Sequence, residues 1–295
     1  MTSTKRLNIL MADDGSQHAQ SAVELLRNLS LPPKSRVIVL RVFTPGQISG
    51  IPEFETSLEK TRHQFLKMGV EAAADLILGS PAEKIIEIAE TKKSNLIVLG
   101  AKGLRATLGI LLGGVAQQVV EYAHCPVLIV RAPYKGLKHI LVVTDGSASS
   151  QYAARYLGKF PLPEKANIRV MHVMPPLPPP LTMEPYLGTW QTIYVPIPIQ
   201  DETVLQKKQE QKGQALLKRT CDLLQRQGIA STPVLCRGDA ATEIIEYVKS
   251  NEIDLIVAGS RGLSEFKGWW MGSVSRKLVH YSNCSVLIVK GPKKE

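Results

Sequence analysis

The chain has little of what stabilises secreted or membrane proteins. It has 295 residues and only four cysteines, and none of these stands at the paired spacing of a metal site. Cys125 and Cys284 precede apolar strands at equivalent positions, and we expect them to be buried and reduced. The longest uncharged apolar stretch, residues 106–120, is too short to span a bilayer. The sequence therefore predicts a cytoplasmic protein with no metal site and no membrane partner.

Clustered charge and catalytic motifs are also missing. The net charge is +10, but the lysines and arginines are scattered and form no basic stripe, so we expect no nucleic-acid partner. The six histidines have no spacing suited to a metal or a catalytic triad. There is no Gly-x-x-x-x-Gly-Lys-Ser/Thr loop and no evident base for phosphoryl transfer. The sequence predicts that the protein is not an enzyme and that any catalysis is slow or absent.

What the chain does contain is a repeat of itself. An apolar strand, a glycine segment, a Gly-Gly or Gly-Ser pair and a second apolar strand occur twice, at a constant offset in residue number. The matched pairs are Gly100 with Gly259, Gly113 with Gly272, and Cys125 with Cys284. A unit this long is a whole domain rather than a solenoid repeat. The sequence predicts two tandem domains, residues 1–133 and 138–295.

The second copy carries an insertion. The front of each half also repeats, as Asp14 with Asp145 and Val42 with Val173, but at a smaller offset than the glycine segments. The increase in offset requires additional residues after Val173, and a proline-rich run begins there. We place the insertion at about 174–201. Three interpretations of this segment are open: a lid over the second site, a polyproline ligand for a protein partner, or a surface loop. Residues 189–199 are a candidate strand.

Short Val/Ile/Leu runs alternate with helical patterns in each half. In the first half we expect strands at 7–12, 36–42, 71–77, 96–100 and 126–130 and helices at 16–29, 55–69, 81–92 and 114–122. Strands that are apolar on both faces and joined by helices indicate an α/β fold. We predict two tandem five-stranded parallel doubly wound domains with strand order 3-2-1-4-5. Four helices have candidate N-cap residues, which are Ser16, Ser80, Ser147 and Asp239.

This strand order brings distant parts of each half to one crevice. Asp14 and Asp145 end the first strand of their halves, whereas Gly100 and Gly259 end the fourth. In a doubly wound sheet, ligands bind beyond the carboxyl ends of the strands where the winding reverses, which here lies between the first and fourth strands. The sequence therefore predicts one binding site in each half.

The residue types of the second half suit a nucleotide. Gly259 and Gly262 allow backbone amides to approach a ligand, and Gly272 leads into a helix whose N-terminus favours a phosphate. The hydroxyls of Ser273 and Ser275 are expected to donate to phosphate oxygens. Asp145 is expected to accept from ribose hydroxyls or an adenine amine. Val42 and Val173 are expected to form an apolar wall beside the base of their own halves.

A structural interpretation competes with this one, because glycines after strands and Asp-Gly-Ser segments also serve tight turns and helix caps. In the second half, the spacing of these residues favours neither the binding-site interpretation nor the structural one. In the first half it favours turns, because Gly114 stands where the second half has Ser273 and Ala116 where it has Ser275. Lys102 and Arg261 lie within the glycine segments and either contact phosphate or face solvent.

The motif Gly259-x-x-Gly262, followed after nine residues by Gly272-Ser273, resembles the ATP-binding signature of universal stress proteins of the UspA family. The flanking strands at residues 254–258 and 284–289 are also similar to that family. The resemblance covers almost the entire chain twice, apart from the insertion. It implies a nucleotide-binding regulator of stress adaptation whose domains pair through their last strands, here residues 127–130 with 286–289.

The resemblance also implies the ligand and its contacts. The expected ligand is ATP, with Mg²⁺ left open as its companion ion. The implied contacts in the second half are Asp145, Val173, Gly259, Gly262, Gly272, Ser273, Val274 and Ser275, and we add Arg261 as a candidate. Those in the first half are Asp14, Val42, Gly100, Gly103, Gly113 and Gly114.

We expect the second site to be the more fully occupied. A homodimer and an unidentified protein partner remain open. The alternatives are an interaction scaffold with vestigial sites and an enzyme using adenylate chemistry, for which no catalytic motif is visible.

Overall fold

A computed structural model describes residues 6–103, 112–177, 202–262 and 271–291. The candidate strand at 189–199 and most of the proline-rich insertion lie outside these ranges. The elements of the first half are β1 (Asn8–Ala12), α1 (Gln17–Asn28), β2 (Arg36–Phe43), a 3₁₀ helix (Pro45–Gly50), α2 (Ile51–Leu66), β3 (Glu71–Leu78), α3 (Pro81–Thr91), β4 (Leu96–Gly100), α4 (Gly114–Tyr122) and β5 (Val127–Val130).

The second half repeats this order. Its elements are β6 (His139–Val143), α5 (Ala148–Leu157), β7 (Asn167–Met174), α6 (Glu202–Gln225), β8 (Ser231–Arg237), α7 (Ala240–Ser250), β9 (Leu255–Gly259), α8 (Ser273–Tyr281) and β10 (Ser285–Val289). No helix in the described ranges is both long and apolar enough to cross a membrane.

The largest difference from the expected boundaries is in α2, which begins at Ile51 rather than at residue 55 and ends at Leu66 rather than at residue 69. Pro52 stands in its first turn, where the missing N–H costs no hydrogen bond and the fixed φ favours a helix. Gly69, with φ of +74°, follows the last turn and allows the chain to leave the helix.

All four predicted N-cap residues stand at the N-cap positions of their helices. The side chains of Ser16, Ser147 and Asp239 each accept a hydrogen bond from a backbone N–H in the first turn of their helix. Ser80 occupies the predicted N-cap position of α3, but its side chain makes no capping hydrogen bond. The next residue is Pro81 at the first helical position, so the proline ring rather than a side-chain cap favours the start of α3.

The strands form one sheet in the order β3-β2-β1-β4-β5-β10-β9-β6-β7-β8. Each half has the predicted 3-2-1-4-5 order with parallel pairing. The halves meet through antiparallel pairing of β5 with β10, in which Leu128 lies opposite Leu287. The predicted pairing of the last strands is therefore confirmed, and it covers an edge of each half-sheet that would otherwise be exposed.

Both faces of the sheet are covered by apolar layers that run through the two halves. Leu128 and Val130 pack in one layer, and Val127 and Ile129 pack in the other. Each layer contains residues from both halves, so the domain boundary at residues 133–138 stays a prediction.

The cysteines that precede the last strands are free and buried, as predicted. Burial raises the pKa of the Cys125 thiol to about 11 and that of the Cys284 thiol to about 12. Both thiols are therefore protonated at neutral pH.

Candidate functional site

The carboxylate at the end of the first strand faces the glycine segment after the fourth strand in both halves. A Cβ atom added to Gly103 would lie 2.6 Å from Oδ2 of Asp14. The equivalent atom on Gly262 would lie 2.9 Å from Oδ2 of Asp145. The structure thus brings together residues that are far apart in sequence, at the crevice that the strand order predicted.

The orientation of each carboxylate is fixed by the turn that starts the next helix. Oδ1 of Asp14 accepts a hydrogen bond of 3.0 Å from the backbone N–H of Ser16. Oδ1 of Asp145 accepts one of 2.9 Å from the N–H of Ser147. Because one oxygen is held by the turn, the other is directed at the glycine segment.

The glycines that end the fourth strands are required by packing within the protein. A Cβ atom on Gly100 would lie 2.7 Å from Cβ of His18, and one on Gly259 would lie 2.6 Å from Oγ of Ser149. His18 lies in the first turn of α1, and Ser149 occupies the same place in α5. The structural interpretation therefore accounts for these two glycines without a ligand.

The glycine segment closes on the last helix of each half. The N–H of Gly113 donates to the carbonyl of Ala101, and the N–H of Gly272 donates to that of Ser260, both at 2.8 Å. These two amides are thus already used. Gly113 and Gly272 are the N-caps of α4 and α8, and they offer no side-chain acceptor to the first turn. The N–H groups of that turn have no acceptor within the helix and favour an anion.

The two helix starts differ in their hydroxyl groups. Ser273 is exposed at the first position of α8, so its hydroxyl is accessible to a ligand. Ser275 is buried, and its Oγ donates to the carbonyl of Gly259 at 2.7 Å, so the expected donation to phosphate is replaced by an internal bond. In the first half, a Cβ atom on Gly114 would meet no atom within 4 Å, and Ala116 is buried.

A cavity of about 580 Å³ lies at the first-half crevice. This volume is within the usual range of small-molecule sites. All six predicted first-half residues line it, namely Asp14, Val42, Gly100, Gly103, Gly113 and Gly114. Much of the remaining wall is apolar and includes Leu40, Phe43, Phe54, Ile85, Leu99 and Leu112.

An ion pair beside this cavity was missed by the sequence analysis. Nε of Arg41 donates to the backbone carbonyl of Asp13 at 2.8 Å, and Nη2 lies 3.5 Å from Oδ1 of Asp13. Oγ1 of Thr61 donates to Oδ2 of Asp13 at 3.0 Å, and the guanidinium carbon lies 5.0 Å from the centre of the Phe54 ring. Both charged side chains are more than nine-tenths buried. This cluster connects α2 to the ends of β1 and β2.

The second half has no such carboxylate–guanidinium pair at the same positions. Thr144 aligns with Asp13 and His172 aligns with Arg41, and Nδ1 of His172 lies 2.9 Å from the carbonyl oxygen of Thr144. The constant offset between the front parts of the two halves reveals this exchange, although the sequence does not show that the charged pair is buried.

The remaining candidates lie around the second crevice in different settings. The backbone N–H of Arg261 donates to Oγ of Ser149 at 3.2 Å. Val173 and Val274 are partly buried and pack against the apolar layer that includes α7 and α8. Within the described part of the chain, no group of three potential metal ligands occurs.

Comparison with known proteins decides the family. A model described as the universal stress protein family matches residues 5–131 and again residues 136–290. The chain belongs to this family. A universal stress protein of Methanocaldococcus jannaschii is 32% identical over 141 residues, which cover 43% of this chain and 83% of the relative. A universal stress protein of Thermus aquaticus is 37% identical over 133 residues, which cover 42% of this chain and 97% of the relative.

Solved structures show the same tandem architecture. A universal stress protein from Archaeoglobus fulgidus superposes with a TM-score of 0.67 and 19% identity, over 98% of both chains. At this identity the likeness concerns the fold alone, so the ligand of this universal stress protein has to be argued from its own residues.

Proposed function

We propose that this universal stress protein binds adenine nucleotides, with ATP as the ligand, and acts as a regulator of stress adaptation rather than as an enzyme. The observation that carries the proposal is the meeting of three groups at each crevice: a carboxylate, a glycine segment and the N-terminus of the last helix. In the first half these groups surround a cavity of about 580 Å³.

Each group has a role in the proposed complex. The phosphates lie against the first turns of α4 and α8, whose unused N–H groups and helix dipoles favour negative charge. Asp14 and Asp145 accept hydrogen bonds from ribose hydroxyls, since a carboxylate beside phosphate would be repelled. Val42 lines the first cavity and offers an apolar contact to the base, and we assign Val173 the same role in the second crevice.

Occupancy is proposed to be higher in the second half. Ser273 adds an exposed hydroxyl at the first position of α8, where Gly114 adds none to α4. A hydrogen bond to a charged group contributes about 1.5–3 kcal/mol, which corresponds to roughly tenfold or more in affinity. The first-half cavity has the same carboxylate and glycine segment, so it binds the same ligand more weakly.

The alternative of a nucleotide-independent scaffold has one observation in its favour. Gly100 and Gly259 are required by helix packing, and Ser275 bonds internally, so part of the family signature is explained without a ligand. The exposed Ser273 at the start of α8 is not explained in that way. We also keep the cytoplasm as the proposed compartment, because the buried thiols suit reducing conditions.

The deciding experiment is to denature the purified protein and measure released nucleotide by chromatography and mass spectrometry, with and without prior addition of ATP. About one ATP per chain, lost in Gly272→Val and kept in the matched Gly113→Val, supports occupancy of the second half. Two per chain would overturn the preference between the halves. None after ATP addition would favour the scaffold. Repeating the assay with a chelator tests Mg²⁺, and steady ATP hydrolysis at enzymatic rates would contradict the non-enzyme proposal.

A further inference from the structure

The residue that follows the last strand is basic in both halves and reaches into the other half. Arg131 follows β5 and Lys290 follows β10, and the two occupy equivalent positions of the repeat. In the antiparallel pairing of β5 with β10, each strand runs towards the place where the last helix of the opposite half ends. The topology therefore brings each basic residue to the C-terminus of a helix from the other half.

The contacts are reciprocal. Nη2 of Arg131 donates to the carbonyl of Val279 at 2.8 Å and to that of His280 at 3.4 Å, at the C-terminus of α8. Nζ of Lys290 donates to the carbonyl of Glu121 at 2.8 Å, at the C-terminus of α4. The last carbonyls of a helix have no donor within the helix, and a cation there also interacts favourably with the helix dipole.

The opposite ends of these two helices lie at the proposed nucleotide sites. Each helix has nine residues and is about 13 Å long, so a shift at its C-terminus is passed on to its N-terminus. The N-terminus of α8 is held by its own half through the bond between Ser275 and Gly259, whereas its C-terminus is held by Arg131. Arg131 is only 8% exposed, so its loss would leave carbonyls without a donor where water has little access.

We propose that Arg131 is a positioning residue for the nucleotide site of the second half and Lys290 for that of the first, so that each half holds the phosphate-facing helix of the other. The inference rests on the proposed function. It predicts that a substitution in one half weakens ATP binding in the other half, a pattern that general loss of stability would not produce.

The test uses the full chain with one site blocked at a time. In Gly113→Val only the second site is open, and in Gly272→Val only the first. ATP affinity is measured by calorimetry after adding Arg131→Met or Lys290→Met to each background. We expect Arg131→Met to weaken the second site about tenfold and Lys290→Met to weaken the first by a smaller factor, since hydrogen bonds from charged donors are involved. The site in the mutated residue's own half should change less than twofold.

Conservative variants separate positioning from folding. Arg131→Lys and Lys290→Arg exchange the residues found at the two equivalent positions and should restore most of the affinity. Hydrogen exchange provides a second measurement that does not require binding: Arg131→Met should speed exchange in α8 but not in α4, and Lys290→Met should do the reverse.

Equal loss at both sites, loss in the mutated residue's own half, or unchanged affinity with unchanged exchange would overturn the inference. If Gly113→Val and Gly272→Val each bind ATP at their open site, but the added substitution does not weaken the site of the opposite half, only this inference is overturned and the proposed function stands. A parent protein that binds no ATP would overturn it together with the proposed function.

Discussion

The two halves of this universal stress protein have the same backbone frame but different chemistry at the crevice. The first half has a buried Asp13–Arg41 pair beside the cavity and Gly114 at the start of α4. The second half has Thr144 and His172 in place of that pair and begins α8 with Ser273. The positions that differ lie at the ends of the first two strands of each half and at the start of the last helix, whereas the strand order and the serine caps of α1 and α5 are shared. After duplication, the frame and the carboxylate at the end of the first strand were thus retained, while other side chains at the crevice changed.

The largest expected effect comes from breaking the charged pair of the first half. Asp13→Thr should lower the free energy of unfolding by about 3–5 kcal/mol, because it leaves a buried guanidinium without its carboxylate. The double variant Asp13→Thr, Arg41→His copies the second half and should recover most of the loss. Urea titration measures both. Equal stability of the single and double variants would show that the pair is not coupled.

A smaller effect is expected at the glycines that end the fourth strands. Gly100→Ala and Gly259→Ala should each destabilise the protein by about 1–3 kcal/mol, because the added methyl group would overlap the first turn of α1 or α5. Gly114→Ala is the control, since its methyl group would meet no atom within 4 Å. Thermal unfolding distinguishes them, and equal midpoints for all three variants would contradict the packing role.

Exchanging the first residue of the last helix tests the difference in ligand affinity directly. Gly114→Ser should strengthen ATP binding at the first site by about tenfold, and Ser273→Gly should weaken the second by a similar factor. Each is measured by calorimetry with the other site blocked. If neither affinity moves, the exposed hydroxyl does not contact the phosphates.

A pH dependence is expected from Lys290 but not from its counterpart Arg131. Burial lowers the pKa of Lys290 from 10.5 to about 8, whereas its counterpart Arg131 stays charged. Because the unfolded chain keeps this proton up to a higher pH, the contribution of Lys290 to the free energy of unfolding should rise between pH 8 and 10.5. Nuclear magnetic resonance of labelled lysine should show one resonance titrating near pH 8 that is absent from Lys290→Arg. A midpoint near 10.5 would contradict the burial.

Most of the fold was predictable because it depends on periodic and repeated features. Alternating strand and helix patterns and a constant residue offset were enough for the strand order, whereas the pairing of β5 with β10 was expected from the resemblance to universal stress proteins. The same pattern placed Asp14 and Gly103 at one crevice. Their proximity follows from topology, which does not depend on side-chain detail.

The rest depends on contacts between residues distant in sequence. Two examples are the hydrogen bond from Ser275 to Gly259 and the packing of Gly100 against His18. Each contact forms only when its helix, α8 or α1, lies on the sheet, so no local sequence pattern predicts it. Similarly, the sequence shows Asp13 and Arg41 as separate charges 28 residues apart. Burial of the pair follows from the way α2 covers the ends of β1 and β2.

The seam between β5 and β10 has a consequence for how such a protein evolves. Because both strands belong to one polypeptide, their association is tethered and does not weaken on dilution, as it would between separate chains. The tethered pair also consists of two different halves rather than two copies of one chain. A substitution in one half therefore changes one crevice without altering the other. A homodimer that keeps this pairing within each chain would form through a surface away from the seam.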